Sequence, residues 1–355
     1  MFVYVGCRTT RERGAQGRGI EVFAEDDGGR WRHVETVGDL VNPSFLTLDR
    51  TGRTLYAVHG DRSEASAFAR DPKTGRLSFL GRGSTGGRNP VHLALDPTGR
   101  WLITVNYATG TVASLPVDDG GALGPPAHLL DVPGEIGPHR VEQAGAHPHH
   151  CPFDPGGRFI VVPDKGLDRV FVLGLDVATG TLALADPGWV ATREAAGPRH
   201  VAFHPGRPFA FVANELDSTV TTYGFDAERG TLTPLFVVPT LPREFTANNR
   251  VAGIVTGADG STIYVSNRGH DSVAVLACDP DSGALSPRSW RPSGGTTPRF
   301  ITLDPRGTTL HVANETSHTV VSFPVDPRDG SLGEPSRAVE TGSPTCIVFA
   351  SPSAS

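Results

Sequence analysis

Short segments of alternating apolar and polar residues recur along this chain, separated by Gly, Pro and Asp. One stretch reads VAFHP, then FAFVAN, TVTTYGFD and the turn AERGTL. Alternation over four to eight residues predicts β-strands, and the intervening Gly, Pro and Asp residues predict tight turns. The sequence shows no convincing amphipathic helix. The pattern therefore predicts an all-β protein made of four-stranded antiparallel units.

The same order of parts occurs in six nearly complete units. Each unit begins at an anchoring residue, and these are Pro43, Pro90, Pro148, Pro198, Val251 and Pro298. The spacing of about fifty residues is in the range of β-propeller blades. A four-stranded meander is the usual blade of that fold. The repeats therefore predict a propeller with six blades continuous in sequence.

The two ends of the chain predict a seventh blade. The segment TCIVFA at 345–350 resembles a lone first strand, whereas FVYVG, GIEVFAED and WRHVETV resemble a second, third and fourth strand. Pairing them closes the ring and removes the exposed sheet edges that favour aggregation. We therefore predict one domain over residues 1–355, a seven-bladed β-propeller whose closing blade comes from 1–38 and 344–350.

The two faces of such a ring differ in sequence. In a four-stranded meander, the connections after the second and fourth strands lie on one face, and the turns after the first and third lie on the other. The latter turns repeat closely as DPTGR, DPGGR, DVATGTL and DAERGTL, as structural turns should. The opposite face is therefore the better candidate for a binding site.

Charged residues appear on that opposite face in only some of the units. The residue after each anchoring position is, in order, Ser44, Val91, His149, Arg199, Ala252, Arg299 and Thr345. The residue after each second strand is Gly60, Tyr107, Lys165, Glu215, Arg268 and Glu315, with Cys7 as the approximate counterpart in the closing blade. A structural repeat does not explain charge in selected copies, so we predict an anion-binding pocket at the channel mouth.

Arg199 and Glu215 flank one hairpin, so their strands run about 4.8 Å apart and their side chains can meet. The alternative is a surface ion pair worth ~0–1 kcal/mol without function. His149 and Lys165 have the same relation one blade earlier. Because neighbouring side chains in a strand point to opposite faces, we expect His149 to face the pocket and His150 to point away. A zinc site from this run is then not expected.

Composition excludes several classes of function. The net charge of −6 provides no broad basic field for nucleic acid. The N-terminus lacks the apolar run of a signal peptide, and no segment is apolar enough to cross a membrane. The four cysteines are scattered and predict free thiols. We expect a monomeric cytoplasmic protein that acts on a small molecule, without a cofactor or bound metal.

The segments HPHHCPFDPGGRFIVVPDKGLDRV, GPRHVAFHPGRPFAFVANELDSTV and YVSNRGHDSVAV resemble the seven-bladed β-propeller lactonase family. This family includes bacterial 6-phosphogluconolactonases and fungal 3-carboxy-cis,cis-muconate cyclases, and the resemblance covers essentially the whole chain. It implies that the functional residues of the family fall on His149, Arg199, Glu215 and Arg268. Lys165 departs from the family, in which an apolar residue is common there.

The resulting hypothesis is hydrolysis of a sugar lactone, with 6-phosphoglucono-1,5-lactone as the favoured substrate. Glu215 or His149 would take a proton from water, while Arg199 and Arg268 would bind the phosphate and stabilise the oxyanion. Candidate substrate-binding residues are Lys165, Arg299, Tyr107 and Asn214. The alternatives are a lactonising cyclase acting on a carboxylated muconate and a non-enzymatic propeller that serves as a binding platform.

Overall fold

Seven antiparallel sheets form a ring in the computed structural model, which describes residues 1–350, without the side chains of residues 337 and 338. Residues 351–355 of the predicted domain lie outside the described residues. The one helix in the described part is a 3-10 turn at Arg11–Arg13. None of the described helices is therefore long and apolar enough to span a membrane. The predicted all-β, seven-bladed architecture is confirmed.

Each blade is a meander of up to four strands. First strands are β4 Pro43–Leu48, β8 Pro90–Leu95, β15 Pro198–Phe203, β19 Arg250–Thr256, β23 Pro298–Leu303 and β27 Pro344–Ala350. Second strands are β1 Phe2–Cys7, β5 Thr54–His59, β9 Trp101–Asn106, β12 Phe159–Asp164, β16 Phe209–Asn214, β20 Thr262–Arg268 and β24 Thr309–Asn314. Third strands are β2 Ile20–Glu25, β6 Glu64–Arg70, β10 Thr111–Pro116, β13 Arg169–Leu175, β17 Thr219–Asp226, β21 Ser272–Cys278 and β25 Thr319–Pro324. Fourth strands are β3 Trp31–Val37, β7 Leu77–Ser84, β11 His128–Asp131, β14 Leu182–Ala191, β18 Thr231–Pro239, β22 Leu285–Pro292 and β26 Ser336–Glu340.

The closing blade joins the two ends of the chain, as predicted. Its strand order is β27-β1-β2-β3. Strand β27 pairs antiparallel with β1, with Tyr4 opposite Val348 and Gly6 opposite Cys346. The remaining blades are numbered 1 to 6 in chain order, so that blade 1 begins with β4 and blade 6 with β23.

Blade 3 departs from the regular pattern. Its sheet has three strands, β12-β13-β14. The segment expected to form its first strand makes two isolated bridges instead, Pro148 with Asp164 and Phe153 with Ile160. His149 lies in this segment, so it sits on an irregular backbone rather than on the predicted strand.

The core lies between the blades. Seven clusters of buried apolar side chains occur in the described residues, each shared by two neighbouring blades, and the cluster between blades 3 and 4 contains Val161, Val212 and Tyr223. A large apolar side chain contributes about 1.5–3 kcal/mol when fully buried. All four cysteines are buried free thiols, as predicted. The packed blades thus form the frame around the central channel.

Turns on one face also tie the blades together. Gly180, in the turn after β13, has a φ of +78°, and a Cβ there would collide with the ring of Trp101 in blade 2. Trp101 Nε1 donates to Val177 O at 3.0 Å in the same turn. Glycine is therefore required by both the backbone conformation and the close approach.

Candidate active site

Two adjoining cavities open on the face formed by the connections after the second and fourth strands. They share five lining residues, Arg8, Asn89, Val91, His149 and Arg299. The more enclosed one extends into the channel, where Arg199, His200 and Phe300 line it. The more open one, with a volume of about 180 Å³, is lined also by Lys165, Glu215 and Arg268.

Glu215 is the centre of an ion-pair network in this pocket. Its Oε2 lies 2.9 Å from Arg199 Nε and 3.1 Å from Arg268 Nη2. Its Oε1 lies 3.3 Å from Lys165 Nζ and 3.6 Å from Arg250 Nη1. The side chains of Glu215 and Arg199 are 5% and 3% exposed. This is a buried network, so the surface-pair alternative does not apply.

The charges around Glu215 determine its protonation. Burial opposes its ionisation, but Arg268, Lys165 and Arg199 overcome this effect and hold its pKa well below the ordinary value. Burial lowers the pKa of Lys165, but Glu215, Tyr107 and Glu142 together raise it above the ordinary value, so that the ammonium is stabilised. The carboxylate is therefore ionised, and each of its oxygens faces two cations.

A second carboxylate reaches the network from the connection between blades 2 and 3. Glu142 Oε2 lies 2.7 Å from Lys165 Nζ, and Glu142 Oε1 lies 2.7 Å from Arg250 Nη1. Gln143, its neighbour, donates to Lys165 O at 2.9 Å. The connection is thus fastened over one side of the pocket.

Another arginine pair lies across the channel. Arg8 follows β1 of the closing blade, and Arg299 lies in β23 of blade 6. They share Glu315, with Arg8 Nε 3.2 Å from Oε1 and Arg299 Nη1 3.4 Å from Oε2. Repulsion from Arg299 and then burial lower the pKa of Arg8 to about 9. The pair therefore sits in a strongly positive local field.

His149 lies where the two cavities meet. Its ring is edge-on to Tyr107 at 5.7 Å and tilted against His200 at 5.2 Å between centroids. Burial and then the Arg199 charge hold the pKa of His149 well below its ordinary value. Its Nδ1 is buried without a hydrogen-bond partner among the described residues. At neutral pH this residue is an uncharged imidazole with a free nitrogen.

The other histidines of the run have structural positions. His150 stacks on His200 at 4.3 Å and meets His92 edge-on at 4.0 Å. His147 stacks on Tyr107 at 4.3 Å. The predicted separation of His149 from His150 is confirmed, although the backbone there is not a regular strand. Among the described residues, no group of three or more His, Cys, Asp or Glu side chains is placed to hold a metal ion.

Seven of the eight candidate residues line the pocket. These are Tyr107, His149, Lys165, Arg199, Glu215, Arg268 and Arg299. Asn214 is not among the residues that line the two cavities. Its Nδ2 donates to Thr219 at 2.9 Å and to Thr221 at 3.0 Å, so it fastens β16 to β17. Asn106 and Asn314 make similar bonds in their blades, as expected for a structural part of the repeat.

Sequence reasoning missed five charged residues of the site: Arg8, Arg13, Asp61, Glu142 and Arg250. It named Glu315 on this face without assigning it a role. Strand β1 ends at Cys7, so the counterpart of Glu215 in the closing blade is Arg8. Cys7 is buried in the core instead. Counting from the end of the strand would have identified Arg8. Glu142 has a weaker signal, an acidic residue within an unusually long connection between Asp131 and Pro148.

Comparisons with known proteins agree with this architecture. The family model described as "Lactonase, 7-bladed beta-propeller" matches residues 2–349. A 6-phosphogluconolactonase of Bacillus subtilis is 30% identical, over 98% of this chain and 99% of the relative. The structure of a periplasmic gluconolactonase of Pseudomonas aeruginosa is 30% identical with a TM-score of 0.90, covering 99% of both chains. A putative 6-phosphogluconolactonase structure from Bacteroides fragilis is 25% identical with a TM-score of 0.88, covering 98% of this chain and 97% of that one. This chain belongs to the seven-bladed β-propeller lactonase family.

Proposed function

We propose that this protein hydrolyses a sugar lactone, with 6-phosphoglucono-1,5-lactone as the favoured substrate and 6-phosphogluconate as the product. The observation that carries the proposal is the uncharged His149, which lines both cavities, together with the ionised Glu215 held among cations in the same pocket. Relatives named for the phosphorylated and the unphosphorylated lactone support the class of reaction.

His149 fits the role of general base better than Glu215. Each oxygen of Glu215 already faces two cations, and its depressed pKa makes it a poor proton acceptor. The imidazole of His149 is neutral and lines both cavities, and the Glu215 charge favours its protonated form. His149 would therefore take the proton from water, while Glu215 would stabilise the imidazolium and position the arginines.

The proposed reaction follows from these roles. Water loses a proton to His149 as its oxygen bonds to the lactone carbonyl carbon, and the carbonyl oxygen becomes an oxyanion. Arg199 and Arg268 would stabilise that charge through N–H donors in a water-poor pocket. When the intermediate collapses, the bond from this carbon to the ring oxygen breaks, and the ring oxygen takes the proton back from His149. The sum is one lactone and one water converted into one hydroxy acid.

Two other functions remain as outcomes of the test. A lactonising cyclase is compatible with the two groups of cations, because a dicarboxylate would engage both. The platform hypothesis has one supporting observation, the consecutive apolar residues Leu235, Phe236 and Val237, which are 42–44% exposed on β18. The cytoplasmic location and the monomeric state stay predictions, and one relative is described as periplasmic.

The test is a hydrolysis assay with 6-phosphogluconolactone, glucono-1,5-lactone and carboxymuconolactone, each with and without a chelator. We expect turnover of a gluconolactone that does not depend on the chelator. Turnover of carboxymuconolactone alone would move the assignment to the cyclase. No turnover of any of the three would favour the platform and overturn the proposal.

A further inference from the structure

The pocket carries more positive charge than its own carboxylates neutralise. Among the described residues that line the two cavities or pair with a lining residue, the cations are Arg8, Arg13, Lys165, Arg199, Arg250, Arg268 and Arg299. The corresponding acids are Asp61, Glu142, Glu215 and Glu315. Seven cations against four acids leave three positive charges in excess, in a protein whose net charge is −6.

This excess is divided between two sides of the channel. Lys165, Arg199, Arg250 and Arg268 belong to blades 3, 4 and 5 and surround Glu215. Arg8 and Arg299 belong to the closing blade and blade 6 and share Glu315. His149 lines both cavities, and charges of both groups act on it, those of Arg199 and Lys165 and that of Arg299. A substrate that reacts beside His149 would extend from one group to the other.

The Arg8 and Arg299 pair is arranged to receive an anion. Both side chains are largely buried, 13% and 19% exposed, and both line the two cavities. Two guanidinium groups share one carboxylate, and repulsion from Arg299, followed by burial, lowers the pKa of Arg8. Arg13, which is paired with Asp61, lies nearby and adds to the positive field. A bound anion would relieve this repulsion, and guanidinium forks match the oxygens of a phosphate.

We propose that Arg8 and Arg299 form a subsite for the phosphate group of the substrate and so set the preference for a phosphorylated over an unphosphorylated sugar lactone. The proposal rests on the lactonase function proposed above, and it assigns the phosphate to this pair rather than to Arg199 and Arg268. A phosphate dianion together with one developing oxyanion carries three negative charges, which matches the excess of the pocket.

The test compares two substrates in two variants. Arg8→Gln and Arg299→Gln should each lower kcat/KM for 6-phosphogluconolactone by about 10- to 100-fold, the loss expected for one charge-assisted contact. For glucono-1,5-lactone the change should stay within about threefold, because that substrate has no group for this subsite. The matched control is Arg82→Gln, which removes an arginine paired with Glu64 at 3.0 Å outside the pocket and should leave both values unchanged.

Equal losses for the two lactones in the arginine variants would overturn the subsite. Calorimetric binding of 6-phosphogluconate and gluconate separates this result from failure of the lactonase proposal, because it does not depend on turnover. If no lactone is hydrolysed but Arg8→Gln weakens binding of 6-phosphogluconate alone, the subsite stands and the proposed reaction fails. If a lactone is hydrolysed and the wild type binds both acids equally, the subsite fails. Melting curves identify a variant that does not fold. If one arginine variant does not fold, the substrate comparison in the other variant tests the subsite.

Discussion

The two faces of this ring use the same repeat in opposite ways. On one face, the turns after the first and third strands keep nearly the same residues in blade after blade. On the other face, the residue that ends or directly follows each second strand varies among Gly60, Tyr107, Lys165, Glu215, Arg268, Glu315 and Arg8. The difference shows that the residues of one face are required by the backbone conformation of the turns. The residues of the other face are not, so they can form a binding site.

The turn face is constrained by contacts that each blade makes with its neighbour. Gly75 sits against Phe2 of the closing blade, Gly180 against Trp101 of blade 2, and Gly230 against Phe159 of blade 3. Asp176 fixes the turn before Gly180, because its side chain accepts from Ala178 N at 2.8 Å. The site face has no such requirement at the residue after the second strand, so its side chains can differ.

Removing the closing strand should have the largest effect, because both faces depend on the closed ring. Deletion of residues 345–355 removes most of β27, exposing the edge of β1 and the apolar side chains that Ile347 packs against. We expect loss of the cooperative melting transition. Truncation after Ala350, which keeps every described strand, is the matched control. A monomeric deletion variant with an unchanged melting curve would contradict the closure.

On the turn face, Gly180→Ala should destabilise the protein by about 2–4 kcal/mol. The alanine combines an unfavourable positive φ with a clash against Trp101. Gly99 is the matched control, since it has a φ of +73° but open space where a Cβ would lie. Urea unfolding of Gly180→Ala and Gly99→Ala separates the contact from the conformational cost. If the two variants lose the same free energy of unfolding, the contact between Gly180 and Trp101 does not contribute to stability.

Acid should destabilise the protein through two buried histidines, His92 in β8 and His311 in β24. Burial and then the Arg199 charge lower the pKa of His92 to about 3, and burial lowers that of His311 to about 4. Since these folded-state values lie below the unfolded value near 6.5, the stability is fully present above pH 6.5 and is lost as pH falls towards the folded values. At pH 5 each of these histidines should lower the free energy of unfolding by on the order of 1–2 kcal/mol.

Urea unfolding at pH 7 and pH 5 measures this loss. His92→Gln should reduce the difference between the two pH values, whereas His33→Gln, at a half-exposed ring paired with Glu21, should not. A wild-type protein that is equally stable at both pH values would mean that the buried histidines do not control its acid stability.

Much of this structure could be predicted from the sequence, because each copy of the repeat corresponds to one blade. Alternation, turn residues and the two end segments predict seven blades and the closing pair of β27 and β1. The meeting of Arg199 with Glu215 also follows, since adjacent strands bring fixed positions together. Asn214 shows the limit of this reasoning, because a polar residue near the mouth can be directed entirely into its own blade.

Contacts between distant connections could not be predicted in this way. Glu142 meets Lys165 and Arg250 because the path of a long connection brings it there, and no repeat constrains that path. The missing first strand of blade 3 was not predicted either, since HPHHCPF occupies the place of a first strand in the repeat but forms two isolated bridges instead. Irregular segments near His149 are therefore where structure adds most to sequence.

The most direct test of the account is the kcat of His149→Gln for the lactone that the wild type hydrolyses. The account predicts a fall of about 10²- to 10⁴-fold with an unchanged melting curve, as expected for loss of a general base. His128→Gln, on the outer strand β11, is the matched control and should turn over normally. Near-normal turnover by His149→Gln would contradict the account and return the role of general base to Glu215.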